Sequence, residues 1–437
     1  MNLKTILVII LFLMFGAIQA QNLQWRLLPN SPYDPTGRLD DIYFINENTG
    51  WGIGYSGKVF HTINGGNSWD TVIVTSALRS IGFFDIENGI IGTLNDDSNK
   101  ILYKTSNHGL NWSAVTNLPN PIIPGICGIC IVNENVAYAC GRYSIPAGII
   151  KTSDKGMNWI RVTVDSSMVT SLVDCYFWTK DSGIVVGGYS TTGNFFGSYS
   201  VVLKTIDGGI TWQRVYLSQR QFELCWKTSF PSPNLGYVSI QRYGSGISNI
   251  LKSSDLGNHW TEIPFRSYDQ QGIGFLNETT GWVGGWTGPT YETTNGGSEW
   301  HPGGWGNNLN RIRFLNDTLG YGAGQRIYKY SRESVGINLI SDVFPESYIL
   351  QQNYPNPFNP YTKIKFDILP DVNGQKSDVK LIVYDILGKE VVTLVNEKLS
   401  PGKYEADFDG SNFASSIYFY KLEAGSFIET KRMMLLK

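Results

Sequence analysis

Charge is scarce in this 437-residue chain: Asp, Glu, Lys and Arg make up only 16% of it, and 35 basic against 37 acidic side chains leave a formal net charge of −2. No Lys/Arg-rich run breaks the balance, which argues against nucleic acid as a partner and against a basic membrane-binding face. Cysteine is sparse too. The five, Cys127, Cys130, Cys140, Cys175 and Cys225, are an odd number without a disulfide framework. Cys127 and Cys130 form a C-x-x-C, but strand positions i and i+3 point to opposite faces, so the pair serves a shared metal or redox site poorly and reads as core. There are four His and no His triad, and neither a cofactor nor a metal is expected.

Long apolar runs are also missing after the first residues. Met-Asn-Leu-Lys4 is followed by the apolar stretch Ile6 to Phe15 and then Gly16-Ala-Ile-Gln-Ala20. Ten apolar residues are too few to cross a bilayer of about 30 Å, so residues 1–20 read as a signal peptide cleaved after Ala20. No Cys stands near the cleavage point, against a lipid anchor, and the mature chain has no candidate transmembrane segment.

What the chain does have is glycine, 48 residues of it, placed at regular intervals. The stretch Lys204-Thr-Ile-Asp-Gly-Gly-Ile-Thr-Trp212 carries the pattern S/T-x-D/N-x-G-x-x-W. It recurs at His61–Trp69, Lys104–Trp112, Lys151–Trp159, Lys252–Trp260 and Glu292–Trp300. In each copy an Asp or Asn oxygen is placed to accept backbone N–H groups while Gly supplies the positive φ, which makes a tight hairpin. Seven first strands precede these turns, beginning at Asp41, Ser80, Gly128, Asp174, Lys227, Gly272 and Arg311, and each is followed by a Gly-rich second strand. The spacing of about 40 to 50 residues predicts an all-β, seven-bladed propeller over 21–334. The seventh unit lacks the turn and its Trp, whereas Leu23-Gln-Trp25-Arg-Leu-Leu28 looks like a fourth strand with no first strand before it. The N-terminal strand is therefore expected to complete the last blade and close the ring.

After a linker over 335–347, residues 348–437 change character. Ile364, Phe366 and Ile368 alternate with Lys363, Lys365 and Asp367, and further strands are separated by Leu387-Gly388, Pro401-Gly402 and Ala424-Gly425. A small antiparallel β-sandwich of Ig-like type is expected.

On the six matched turns, the repeats resemble the BNR or Asp-box repeats of sialidase, sortilin and photosystem II assembly-factor-like propellers, nearest the last. Tyr354-Pro-Asn-Pro-Phe-Asn-Pro360, Val383-Tyr-Asp-Ile-Leu-Gly-Lys389 and Ser416-Ile-Tyr-Phe-Tyr-Lys-Leu-Glu-Ala-Gly425 resemble the type A C-terminal sorting domain of the type IX secretion system. That resemblance implies passage through the periplasm, recognition by the secretion machinery, removal of the tail by a sortase-like protease, and a secreted or cell-surface protein. The polar insertion Asp371–Ser377 departs from the pattern and should only lengthen a loop.

The Asp-box residues Asn64, Asn107, Asp154, Asp207, Asp255 and Asn295 read as structural, because three are amides and turn oxygens are already occupied. These turns mark one face of the propeller, with His61, His108 and His259. The loops after the second strands lie on the other, and there Tyr55, Arg142, Tyr143, Tyr189, Phe195, Phe196, Arg242, Tyr243 and Trp286 recur. Aromatic faces with hydrogen-bonding neighbours suit sugar rings or extended peptide. Around the channel, Asp41, Ser80, Asp174, Lys227 and Arg311, with Asp40, Arg79 and Trp226 beside them, bring opposite charges together. They form either a polar site or a set of mutual ion pairs. The sequence thus points to a non-enzymatic binder of a glycan or protein. The alternative is a sialidase-like or endoglucanase-like glycoside hydrolase, which Asp40, Asp41 and Asp174 keep open. A cation in the loop Asn95-Asp-Asp-Ser-Asn99 is disfavoured, since it lacks the Gly and terminal Glu of a calcium loop.

Overall fold

A computed structural model describes residues 23–437 except 29, 76, 95–99, 244–245, 266–268, 287, 332–336, 342–344, 370–376 and 411–412. The expected signal peptide, the loop 95–99 and nearly all of the polar insertion lie outside the described residues. Two compact units result, one spanning Trp25–Tyr330 and the other built on Ser331–Lys437. No α-helix occurs among the described residues, and a 3-10 turn lies at Phe195–Gly197.

The first unit is a propeller of seven four-stranded antiparallel sheets. Blade 1 runs Leu39–Phe44, Gly50–Gly54, Lys58–Thr62 and Asp70–Ile73. The first strands of blades 2 to 7 are Leu78–Phe83, Gly128–Ile131, Ser171–Phe177, Glu223–Ser229, Gln270–Phe275 and Arg311–Asn316. In the last sheet Gln24–Leu27 lies beside Ile327–Ser331, which neighbours Leu319–Ala323. The closing strand is held by its tryptophan: Trp25 stacks on Trp305 at 4.2 Å and meets Trp282 edge-on at 5.7 Å.

The Asp-box turns repeat one set of bonds. In blade 1 the Asn64 Oδ1 accepts the Ser68 N–H at 2.9 Å, Thr62 Oγ1 accepts the Gly66 N–H at 3.0 Å, and the Trp69 indole donates to the Gly66 carbonyl at 3.0 Å. Gly66 has φ +93°, and a Cβ there would stand 2.6 Å from Leu28. Both facts call for glycine.

Between blades the joint is aromatic. In six of the seven blades a Gly at the start of the second strand lets the Phe of the first strand lie flat on the backbone; a Cβ on Gly89 would sit 2.6 Å from the Phe83 ring. That ring then stacks on the aromatic of the preceding blade's second strand, as in Trp51–Phe83, Tyr138–Phe177, Tyr237–Phe275 and Tyr321–Phe44, each at 3.5 Å. The polar tip of the same side chain bonds onward: Trp51 Nε1 to the His108 carbonyl at 2.8 Å and Tyr138 Oη to the Lys180 carbonyl at 2.7 Å. Each stack contributes about 0.5–1.5 kcal/mol beyond burial. The Tyr321–Phe44 pair joins blade 7 to blade 1 in the same way.

The second unit stacks two sheets. One orders Ile337–Ser341, Gly402–Asp409, Tyr361–Ile368 and Ile349–Leu350, and the other Glu390–Leu399, Ser377–Tyr384, Ser416–Ala424 and Phe427–Leu435. Ile364, Phe366 and Ile368 are buried with Val379, Leu381, Val383, Tyr420, Leu422, Met433 and Leu435. The stretch 335–347, read above as a linker, contains a strand: Ile337–Ser341 pairs antiparallel with Gly402–Asp409 and extends that sheet.

Candidate binding site at the channel mouth

The first strands carry a recurrent irregularity. Their register with the second strands shifts between Leu39 and Asp41, Leu78 and Ser80, Leu172 and Asp174, Cys225 and Thr228, and Gln270 and Gly272. A bulge inserts an unpaired residue and turns its side chain out of the sheet's alternation. The residues so placed include Asp40, Arg79, Trp226 and Gln271, and they surround one mouth of the channel.

At this mouth lies a cavity of about 790 Å³ lined by Thr36, Arg38, Tyr55, Arg79, Leu94, Tyr143, Trp226, Gln241, Arg242, Tyr243, Asp269, Gln271, Trp286 and Asn308. Its polar floor is one chain of contacts through four blades. Arg38 and Arg79 both donate to Asp40 Oδ1, at 2.6 and 2.5 Å; Arg38 reaches Gln271 at 3.0 Å, and Gln271 reaches Gln241 at 2.9 Å. Two guanidiniums share one carboxylate, which leaves this trio cationic. Burial lowers the Arg38 pKa, to about 10, and the group is still charged at neutral pH. Arg38 Nη1, Arg79 Nε and Asp40 Oδ2 are buried without hydrogen-bond partners among the described residues.

The walls are aromatic. Trp286 is 52% exposed, with the Arg38 guanidinium 4.2 Å from its ring. Opposite charge is not needed for that contact, since the cation meets the negative face of the ring. Tyr143, Phe195, Phe196 and Tyr243 pack edge to face at 5.2–6.0 Å, and Tyr143 leans on Trp226 at 6.1 Å. Burial pushes the Tyr243 phenol pKa up, so it stays a neutral donor. Behind the wall, Arg242 pairs at 2.8 Å with the buried Glu223, whose pKa is raised by burial against Arg220 and Arg242.

Deeper in the channel a second layer of charge is closed on itself. Arg311 donates to Asp41 at 3.0 Å and to both oxygens of Asp174 at 3.0 and 3.1 Å, and Arg313 adds a 3.0 Å bond to Asp41. Burial alone would raise the Asp41 pKa, but Arg311 and Arg313 overcome it and hold it at about 2. Asp174 is lowered in the same way by Arg311 and Lys227 against its burial. Lys227, 4.0 Å from Asp174, is brought down to about 8 by burial and by Arg311. Beyond it a second cavity of about 1020 Å³ opens at the Asp-box end, walled in part by Tyr43, Cys130, Tyr176, Ser229 and Arg313. The Cys130 thiol, pushed up to about 12 by burial, is protonated there.

Of the residues picked from sequence, Tyr55, Arg79, Tyr143, Trp226, Arg242, Tyr243 and Trp286 therefore share the first cavity. Other picks do not line it: Phe195 and Phe196 pack onto Tyr143 and Tyr243 from outside the lining. Arg311 is consumed by its two carboxylates and walls the far cavity instead. Tyr189 has Arg214 over its ring at 4.9 Å and packs against the blade core. Arg142 follows its blade's second strand, half-buried, outside the lining. Thr36, Arg38, Asp269, Gln271 and Asn308 had been passed over. Gln271 sits at the bulge of its first strand, and the other four come from the connections that follow the fourth strands, which open on the same face; the residues just before the channel strands were the available signal. The carboxylates that kept hydrolysis open are all engaged: Asp40 by Arg38 and Arg79, and Asp41 and Asp174 by one guanidinium. A general acid needs a raised pKa, and Asp41 and Asp174 have the reverse.

Residues 352–436 match the secretion system C-terminal sorting domain. Over 332 residues, 67% of this chain and 75% of the relative, the sequence is 25% identical to the chloroplastic photosystem II stability/assembly factor HCF136 of Arabidopsis thaliana. Among solved structures, YCF48 bound to D1 peptide matches with a TM-score of 0.52 at 19% identity, over 71% of this chain and 96% of that one. An ancestral GH74 enzyme matches with a TM-score of 0.51 at 12% identity, over 94% and 63% of the two chains. At such identities the structural matches show the propeller fold, and a fold carries many activities. The sorting domain implies export by the type IX secretion system, to the cell surface or beyond.

Proposed function

We propose that this protein is an exported, non-enzymatic propeller that binds a glycan or a protein segment in the aromatic cavity at the channel mouth. The observation that carries the reading is the convergence of Tyr55, Arg79, Tyr143, Trp226, Arg242, Tyr243 and Trp286, from separate loops and blades, on one cavity. Half-exposed Trp286 offers a flat apolar face, while Arg38, Gln241, Gln271 and Asp269 offer hydrogen bonds around it. That combination of stacking surface and fixed polar groups suits a pyranose ring or an extended peptide. YCF48, whose structure was solved with a D1 peptide, is a propeller relative that takes a peptide.

Glycan and peptide arrays probed with the mature chain, Trp286→Ala and Tyr243→Ala test this. Loss of the bound ligands in both variants, with circular dichroism unchanged, is the expected result; ligands indifferent to both changes would remove this cavity from consideration. Hydrolysis is tested separately. Reducing sugar released from any polysaccharide by the wild type, and abolished in a folded Asp174→Asn variant, would establish an enzyme instead.

A further inference from the structure

The tail's exposed apolar residues are not scattered. Among the described residues of 337–437, five of the eight exposed large apolar side chains, namely Tyr354, Tyr361, Ile386, Leu387 and Leu436, belong to segments that meet at one end of the sandwich. Strand pairing fixes that end. Tyr361 pairs with Asp409, Tyr384 with Phe419 and Glu390, and Ser416 with Leu435. The two sheets are tied there, since the Phe358 N–H donates to the Met434 carbonyl and the Leu436 N–H to the Phe358 carbonyl, each at 3.0 Å.

Both protruding segments are rigidly built. Asp385 Oδ1 accepts the N–H groups of Leu387 and Lys389, each at 2.9 Å, and Gly388 at φ +77° completes the turn. This leaves Leu387 88% exposed at the tip. In Tyr354-Pro-Asn-Pro-Phe358, buried Phe358 and Asn353 are the anchors, and Asn353 Nδ2 bonds the Pro355 carbonyl and Thr362 Oγ1, each at 3.0 Å. Tyr354 is thereby held 81% exposed. A hairpin tip that needed only solubility would carry polar residues, whereas fixed, exposed Leu and Tyr side chains mark an interaction surface.

We propose that this end, formed by the Tyr354–Pro357 segment, Tyr361 and the Ile386-Leu387 tip, is the face by which a protein of the secretion machinery reads the tail. The match of residues 352–436 to a sorting domain names the occupant, because sorting requires recognition by an export component. The shape names its chemistry. The partner presents an apolar recess that takes Leu387 and Ile386, next to a flat or grooved surface for the Tyr354 ring, and pre-ordered side chains lose little entropy on docking. The inference rests on the sorting domain and not on the propeller's ligand.

The test uses the full chain made in a bacterium that has a type IX system, with exported and periplasmic fractions measured. Leu387→Asp and Tyr354→Ser are expected to reduce export at least tenfold, with folded protein retained in the periplasm and an unchanged Tm. Ile428→Asp, 65% exposed and paired with Glu423 toward the other end, should be exported as the wild type is. Normal export of both end variants, or equal retention of Ile428→Asp, would overturn the assignment. Should either end variant misfold, a photoreactive residue at position 387 replaces it: a crosslink to an identified secretion component is expected, and crosslinks only from position 428 would refute the proposal.

Discussion

Arg311→Met should cost more than almost any other single change in the propeller, and it should make stability fall as pH rises above about 4. Arg311 is 4% exposed and bonds Asp41 and both oxygens of Asp174, which are themselves buried. Removing one partner of such a group strands the opposite charge, at a cost of about 3–5 kcal/mol. Asp41 keeps Arg313 at 3.0 Å, whereas Asp174 is left with Lys227 at 4.0 Å and the Thr228 donors. In the wild type, Asp41 is held at about 2 against an unfolded value near 3.8. By linkage its contribution of about 2 kcal/mol is complete above the unfolded pKa and lost as pH falls from about 4 toward 2. Without Arg311, burial raises Asp174 above its unfolded pKa, so its contribution is present at low pH and lost as pH rises. Guanidinium unfolding followed by tryptophan fluorescence should find the variant more stable at pH 4.5 than at 7.5, whereas in the wild type the contribution of these carboxylates is already complete at pH 4.5. A variant within about 1 kcal/mol of the wild type at pH 7.5, with the same pH slope, would refute the reasoning.

Trp25→Ala removes the ring stacked on Trp305 and should cost about 3–5 kcal/mol in a melt of the mature chain; a loss under about 1 kcal/mol would show that ring closure does not depend on it. Asn64→Ala deprives the Ser68 N–H of its acceptor and should cost about 1 kcal/mol, while Asn64→Asp, the residue used at the same position in three other turns, should be near neutral. Lys227 is brought from 10.5 to about 8, so the unfolded chain binds the extra proton between those values and wild-type stability rises with pH there. Lys227→Met should abolish that rise and, with Asp174 still held by both Arg311 nitrogens, leave stability at pH 7 within about 1 kcal/mol; a drop of several kcal/mol would mean that Lys227 carries the network.

The architecture was legible because one turn chemistry repeats. An acceptor at Asn64, a hydroxyl at Thr62 and a left-handed Gly66 cannot be interchanged freely, so six copies stand out against variable strands. Strand limits were less visible where bulges break the alternation. The blade 5 strand was read from Lys227, yet it begins at Glu223, because the register shifts between Cys225 and Thr228. The same bulges explain the mixed outcome at the site. Loop aromatics such as Tyr243 and Trp286 announce a face, but which guanidinium lines it depends on pairing across blades. Arg38 reaches Gln271, 233 positions away, and Arg311 reaches Asp174, 137 positions away. No local pattern records such partners. In the tail, the alternation at Ile364, Phe366 and Ile368 was sufficient, whereas Ile337–Ser341 lies in a short segment whose partner is more than 60 residues downstream.

The strand Ile327–Ser331, from which the chain leaves the propeller, is not at the margin of its sheet. It is flanked by Leu319–Ala323 on one side and by Gln24–Leu27 on the other. Severing everything beyond Ser331 would therefore uncover no row of open amides and carbonyls onto which a second molecule could zip. A pull exerted through the tail, in turn, is borne by ladders on two sides together. The seam that joins beginning to end would thus keep the ring from fraying under a load applied through the tail.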